Sequence, residues 1–196
     1  MTPGAPRITP LTYDELDDDG RELLLGMIHN DEGTIRARTA ADPVPSFIGT
    51  MLRHPRLFRK WAPFGGALLM RGKIPVRDRE LVCLRVAWLC QGSMEWSEHV
   101  KIAHAEGFTT DDVERVTLGP DAAGWADSDR IVLRAVDELH TTGTITDPTW
   151  AALAERYDQQ QLIEFPTLVG NYTTTAYVQN ALRVQFDSRT GGLAAR

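Results

Sequence analysis

Glu80, Glu95 and His99 are the residues of this 196-residue chain whose types and spacing could move protons. They lie in Arg79-Glu80-Leu81-Val82-Cys83-Leu84-Arg85 and in Gly92-Ser93-Met94-Glu95-Trp96-Ser97-Glu98-His99. Glu95 and His99 are four apart, so on a helix they project about 40° apart from one face, which also carries Gly92, Ile102 and Ala103. Glu80 shares its helical face with Leu84, Ala87 and Gln91, a stripe otherwise free of charge. Burial raises a carboxyl pKa, a second carboxylate raises it further, and a nearby imidazole can then exchange protons near neutral pH. Such a set could take a proton from the carbon beside a carbonyl or return one to a developing carbanion. The same spacing also suits a plain surface pair between Glu95 and His99, worth roughly 0.2–0.5 kcal/mol, with Glu80 ion-paired to Arg77.

Other residues offer weaker chemistry. Cys90 could be a lone reactive thiol, although helix cysteines usually pack as small hydrophobes. Asn171, Tyr172, Tyr177 and Asn180 supply polar groups on the final helix that could line the same cavity or serve helix packing. Trp96 and Met94 read as core or subunit interface, and His104 points about 140° away from His99. Arg85 stands about 140° from Glu80 on its helix, which favours a structural ion pair over substrate binding. Two glutamates and a histidine could hold a divalent metal, yet the second Glu-x-x-His element of di-metal bundles is missing.

These residues need a helical frame, and the sequence supplies one. The length suits one domain, 1–196, that buries its own core without disulfides. Thr12-Tyr13-Asp14-Glu15 reads as a capping box opening a helix to about His29, and Gly33 to Pro45 as a loop. Helices follow from Ser46 to Arg53, Pro55 to Met70 with a bend at Pro63 and Gly65-Gly66, Pro75 to Leu89, Met94 to Glu106, Thr110 to Thr117, Asp127 to Thr142, Asp147 to Tyr157 and Gln159 to Phe186, the last interrupted at Pro166 and Gly170. Gly92-Ser93 breaks and recaps the chain between the two helices that carry the proton-handling residues, and Gly107 stops the second. No stretch alternates long enough to suggest a sheet, so the class is all-α. Residues 1–12 and 188–196 read as flexible extensions, with Gly191 to Arg196 a frayed tail. Cys83 and Cys90, on one helix, stand about 10 Å apart and cannot bridge.

A net charge of −6 and a pI near 5.4 argue against nucleic-acid or anionic-membrane partners. The apolar runs are too short for a membrane span and the N-terminus lacks a signal-peptide core, which predicts a cytoplasmic protein.

Segment 76–108 resembles the core motif of the carboxymuconolactone decarboxylase family, which includes the alkyl hydroperoxidase D branch. His54-Pro55-Arg56-Leu57, Asp137-Glu138-Leu139-His140 and Gly170-Asn171-Tyr172 extend the likeness over about residues 42–186. The peroxidase branch carries a glutamate, then Cys-x-x-Cys, then a histidine four residues on. Those positions fall here on Glu80, Gly92, Glu95 and His99, so both thiols are missing and thiolate attack on a peroxide is unavailable at this site.

The resemblance implies a multi-helix bundle of the alkyl hydroperoxidase D type and a lyase that works without metal or cofactor on a small carboxylated or carbonyl substrate. It casts His99 as general acid/base, Glu95 as its partner or a second proton carrier and Glu80 as a relay or orienting group, with Asn171, Tyr172 and Tyr177 binding substrate. It also implies a homo-oligomer, commonly a trimer or hexamer, with sites near subunit contacts. The competing readings are a non-catalytic oligomeric scaffold of the same fold and a peroxidase that uses Cys90 alone.

Overall fold

Most element boundaries fall where the sequence carries a local reason for one. A computed structural model describes residues 4–31, 34–186 and 191–196, which divide into two compact units, residues 4–31 and 34–67 with 181–186, and residues 68–180 with 191–196.

In the first unit the expected helix from Thr12 is two pieces. Thr12 and Glu15 close a capping box around a single 3-10 turn, with the Thr12 amide donating to Glu15 Oε2 at 2.8 Å. The chain then extends at Leu16, and Asp17 starts a separate helix α1 (Asp18–Leu25) by accepting from the Gly20 amide at 2.7 Å. Two caps so close together interrupt what one cap would have propagated. The stretch read as helix end and loop contains an antiparallel hairpin, β1 (Ile28–Asp31) with β2 (Thr34–Ala37), in the register Ile28 opposite Ala37. Strands of four residues are too short to announce a period of two. Helices α2 (Ser46–Met51) and α3 (Pro55–Arg71) follow. Gly49 permits a close backbone approach: a Cβ there would lie 2.6 Å from the Leu11 carbonyl.

The second unit carries the all-α core. Its centre is α4 (Val76–Leu89), introduced by Pro75, whose fixed φ and missing N–H suit a helix start. Every residue from Glu80 to Ala87 is buried, so the helix has no solvated face and its burial must come from neighbours on all sides. Those neighbours are α5 (Ser93–Ala105), α6 (Thr110–Leu118) and α7 (Asp127–Thr142), with α8 (Asp147–Ala154) packed on α7. Leu81, Leu84, Trp96, Val100, Leu133, Phe165 and Leu168 belong to one continuous apolar core. The long helix α9 (Gln159–Leu182) continues through Pro166 and Gly170, and its Glu164 accepts from the Lys73 and Ile74 amides at 2.8 and 3.0 Å, just ahead of α4.

Buried charges on α4 are matched. Arg85 forks onto Asp137 at 2.6 and 2.8 Å and donates to the Val116 and Thr117 carbonyls, the structural ion pair its position suggested. Asp78 accepts from the Tyr157 hydroxyl at 2.6 Å and pairs with Arg156 at 3.0 Å.

The joint between α4 and α5 differs from expectation in one detail. Gln91, with φ of 56°, is the left-handed residue, while Gly92 has φ of −79° and forms the N-cap of α5. The Gln91 amide donates to the Trp88 carbonyl at 3.1 Å and the Gly92 amide to Ala87 at 2.7 Å, the two bonds of a Schellman motif. At its far end α5 stops at Gly107, whose φ is 90°. Residues 191–196, read as a frayed tail, contain a 3-10 turn (Gly192–Ala194), and the Trp96 indole donates to the Ala195 carbonyl at 3.0 Å. Residues 1–3 and 187–190 lie outside the described residues. Among the described residues no helix is long and apolar enough to cross a membrane.

Candidate active site

His99 projects from α5 onto Glu80 of α4, and the contact is direct: Nδ1 to Glu80 Oε2 is 2.7 Å. The second Glu80 oxygen, Oε1, accepts from Arg79 Nε at 2.8 Å, and Arg79 is itself anchored by the Leu69 carbonyl at 2.9 Å. Glu80 is fully buried and His99 is 5% exposed. Burial alone would push the Glu80 carboxyl up, but the hydrogen bonds and charge of His99 and then of Arg79 outweigh it and hold the group below the ordinary value. An ionised Glu80 accepts on both oxygens, which assigns the shared proton to His99 Nδ1. Nε2 is then the nitrogen left for chemistry, and no hydrogen bond to it occurs among the described residues.

Glu80, which the spacing had paired with Arg77, is thus the partner of the imidazole. Arg77 binds Asp129 at 2.8 Å. Glu95, expected as the histidine's partner, turns instead to α9, where Gln179 Nε2 donates to its Oε2 at 2.9 Å. Its environment is opposite to that of Glu80: burial pushes the Glu95 carboxyl well above the ordinary range, with Gln179 and then Thr175 pulling weakly the other way. The surroundings therefore push the two carboxyls of the cluster in opposite directions.

Tyr172 of α9 closes the arrangement. Its ring meets the His99 ring edge-on at 4.9 Å and 81°, and burial, the Cys83 thiol and the charges of Glu80 and Glu95 all push its hydroxyl up. Cys83, buried one turn after Glu80 on α4, is pushed up chiefly by burial and by the Glu80 charge.

Of the six expected site residues, Glu80, Glu95, His99 and Tyr172 come together. Asn171 is buried beside Tyr172 in sequence, and its carbonyl accepts from the Thr175 hydroxyl at 3.0 Å. Tyr177 is 60% exposed and stands apart from the cluster. Asn180 donates to the Cys90 carbonyl at 2.7 Å, a tie between α9 and the end of α4. His104 caps its own helix end through Nδ1 and the Phe108 carbonyl at 2.9 Å, and Trp96 is core. Burial pushes the Cys90 thiol up, and its sulfur lies 3.8 Å from His140 Nδ1.

Sequence reasoning missed Gln179, Arg79 and Cys83. Gln179 follows Tyr172 by two helical turns on one stripe with Ala176, and Cys83 follows Glu80 by three, so periodicity could have proposed both. Among the described residues no group of three or more His, Cys, Asp or Glu side chains is arranged to hold a metal ion.

The model of the Carboxymuconolactone decarboxylase family matches residues 55–138. No curated protein sequence is a significant match. An uncharacterized peroxidase-related protein from Ralstonia eutropha JMP134, with an alkylhydroperoxidase AhpD core, superposes with a TM-score of 0.76 at 15% identity, covering 95% of each chain. A peroxidase-related protein from Silicibacter sp. TM1040 gives 0.70 at 15% identity, covering 98% of this chain and 97% of its own. A variant of the debrominase Bmp8 in complex with 2,3,4-tribromopyrrole gives 0.67 at 16% identity, covering 93% and 92%. At these identities the likeness to the solved structures is one of fold.

Proposed function

We propose, from the match to the carboxymuconolactone decarboxylase family at residues 55–138 and the fold shared with an alkylhydroperoxidase AhpD core protein, that the chain is a member of this family and a cofactor-independent acid–base lyase acting on a small carboxylated or carbonyl compound. The observation that carries this reading is the contrast between the two carboxyls: Glu80 is bonded to His99 and Arg79 and held below its ordinary value, while Glu95 is buried and pushed above it. Two titratable groups driven apart by their surroundings are the usual mark of an assigned base and an assigned acid.

In this mechanism Glu80 fixes the tautomer of His99, so that Nε2 takes a proton from the carbon next to a substrate carbonyl while Glu80 stabilises the imidazolium that forms. The electron pair released from the C–H bond, or from a C–C bond losing carbon dioxide, moves onto the carbonyl oxygen as an enolate. Glu95 protonates that enolate; it regains its proton from His99 where His99 has taken the C–H proton, an isomerisation, and from solvent where carbon dioxide has left. The low-dielectric surroundings strengthen each of these interactions. Tyr172 holds the imidazole edge and narrows the space beside it.

Assembly into a homo-oligomer belongs to the same proposal, and Leu118, Ile163 and Tyr177 are large side chains that a single copy leaves exposed. A peroxidase reading through Cys90 is disfavoured, because burial raises that thiol and so reduces its thiolate.

The test is turnover of a panel of small lactones and β-keto acids by wild type and by His99→Ala. Loss of turnover in a variant that keeps its helical circular dichroism supports the lyase. Turnover that survives His99→Ala, or a wild type inert across the panel, returns the chain to the scaffold reading. Hydroperoxide consumption that disappears when Cys83 and Cys90 are both changed to Ser would restore the thiol reading.

A further inference from the structure

Gln179 is 1% exposed, and both ends of its amide are engaged. Its Oε1 accepts from the Met94 amide at 3.2 Å while its Nε2 donates to Glu95 Oε2 at 2.9 Å. A backbone N–H can only donate, so the amide cannot be turned over without facing Met94 with a second donor. Glu95 Oε2 is therefore an acceptor. The wall behind it is tight, since a Cβ on Gly92 would stand 2.7 Å from that oxygen, 3.2 Å from Gln179 Nε2 and 3.3 Å from Ala176 Cβ.

The other oxygen is in a different position. Glu95 is 3% exposed and its buried Oε1 has no hydrogen-bond partner. Thr175 is near enough to favour the anion, but its hydroxyl donates to the Asn171 carbonyl at 3.0 Å. The titratable groups around Glu95 bring little positive charge: Cys83 and Cys90 from α4 and Tyr172 from α9 are neutral acids, and His99 is engaged by Glu80. A charged oxygen with no partner in such a place is costly, whereas a neutral acid loses only one hydrogen bond.

We infer that Gln179 is a positioning residue that fixes Glu95 as a carboxylic acid with its proton on Oε1, a buried donor awaiting an acceptor oxygen. The ligand class follows: Oε1–H meets a carbonyl or carboxylate oxygen and rejects an ammonium group, which has no lone pair to offer. The substrate class rests on the lyase reading, while the proton assignment stands on the geometry of Gln179 and on the buried, unpartnered Oε1.

Infrared spectroscopy of the unliganded protein at pH 7 tests it. The expected result is a protonated-carboxyl C=O band that disappears in Glu95→Gln and moves to higher frequency in Gln179→Met, which keeps the volume but removes the donor to Oε2. Absence of the band in wild type, or a band that Gln179→Met leaves unmoved, overturns the inference. Gln179→Glu is the second variant should Gln179→Met not fold; it removes the amide donor, and the Glu95 band must again move. The band is expected to persist in His99→Ala. A band that behaves as stated in a protein without turnover would sink the lyase and leave this assignment intact, and turnover without the band would do the reverse.

Discussion

The carboxyl of Glu95 occupies the space into which a side chain on Gly92 would grow, with only 2.7 Å between its Oε2 and a Cβ built at that glycine. The two positions where the peroxidase branch carries its thiols are thus interlocked: with Glu95 seated on Gln179, position 92 has no room for any side chain.

Gly92→Ala is therefore expected to push Glu95 off Gln179. The loss of that buried hydrogen bond should cost about 1–3 kcal/mol of unfolding free energy, read from urea denaturation. Because the clash is with Glu95, the same substitution in a Glu95→Ala background should cost markedly less, giving a coupling energy of roughly 0.5–3 kcal/mol in the double-mutant cycle. Equal costs in both backgrounds would show that Gly92 is constrained by something else.

Glu95 also gives stability a pH dependence of unusual sign. Unfolded, it ionises around its ordinary 4.5; folded, it keeps its proton well above that. Over the interval between, the native state binds one more proton than the unfolded state, so stability falls as pH rises, by up to about 1.4 kcal/mol per unit. Glu95→Gln, a neutral near-isostere, should remove this slope and make the protein more stable than wild type at neutral pH. Melting temperatures of the two proteins between pH 5 and 8 decide the matter, and parallel curves would contradict it.

Glu80 acts in the opposite direction. Its folded value lies below 4.5, so its stabilising contribution is present above 4.5 and is lost as pH falls through the folded value. Glu80→Gln should remove that acid-side loss. At neutral pH it should destabilise by on the order of 3–5 kcal/mol, because Arg79 and His99 lose a buried charged acceptor. Thermal unfolding of Glu80→Gln at pH 7 and pH 4 against wild type measures both effects.

The thiols should behave unequally. Cys83 is sealed in the core and Cys90 is half-buried, and burial raises both. A disulfide reagent at pH 7.5 is expected to label one thiol slowly in the native protein, and Cys90→Ser should abolish that labelling. Rapid labelling of Cys83 in native Cys90→Ser would contradict the packing described.

Helix boundaries were legible where the signal is local: Pro75 before α4, the Thr109 and Asp112 capping box of α6, Gly107 after α5. That Glu80, Glu95 and His99 could gather where two consecutive helices meet was legible from spacing and the family motif. The choice of Glu80 rather than Glu95 as the histidine's partner was not, because it depends on how α5 lies against α4, a matter of packing rather than of period. Gln179 was hidden for a related reason. It reaches Glu95 across 84 residues of sequence, and on a helix already rich in Asn, Gln, Thr and Tyr nothing local marks the one amide that faces inward. The hairpin went unread because its pairing is set by the backbone over strands of four residues each.

Gln91 holds the left-handed turn between α4 and α5 in a conformation that glycine adopts more cheaply. Inserting a single residue at this joint would rotate α5 by about 100° and carry His99 away from Glu80. The α4–α5 frame is thus closed to variation in length, and a lineage or a designer wanting a new substrate must work from α9, whose inward stripe touches the frame without being spliced to it.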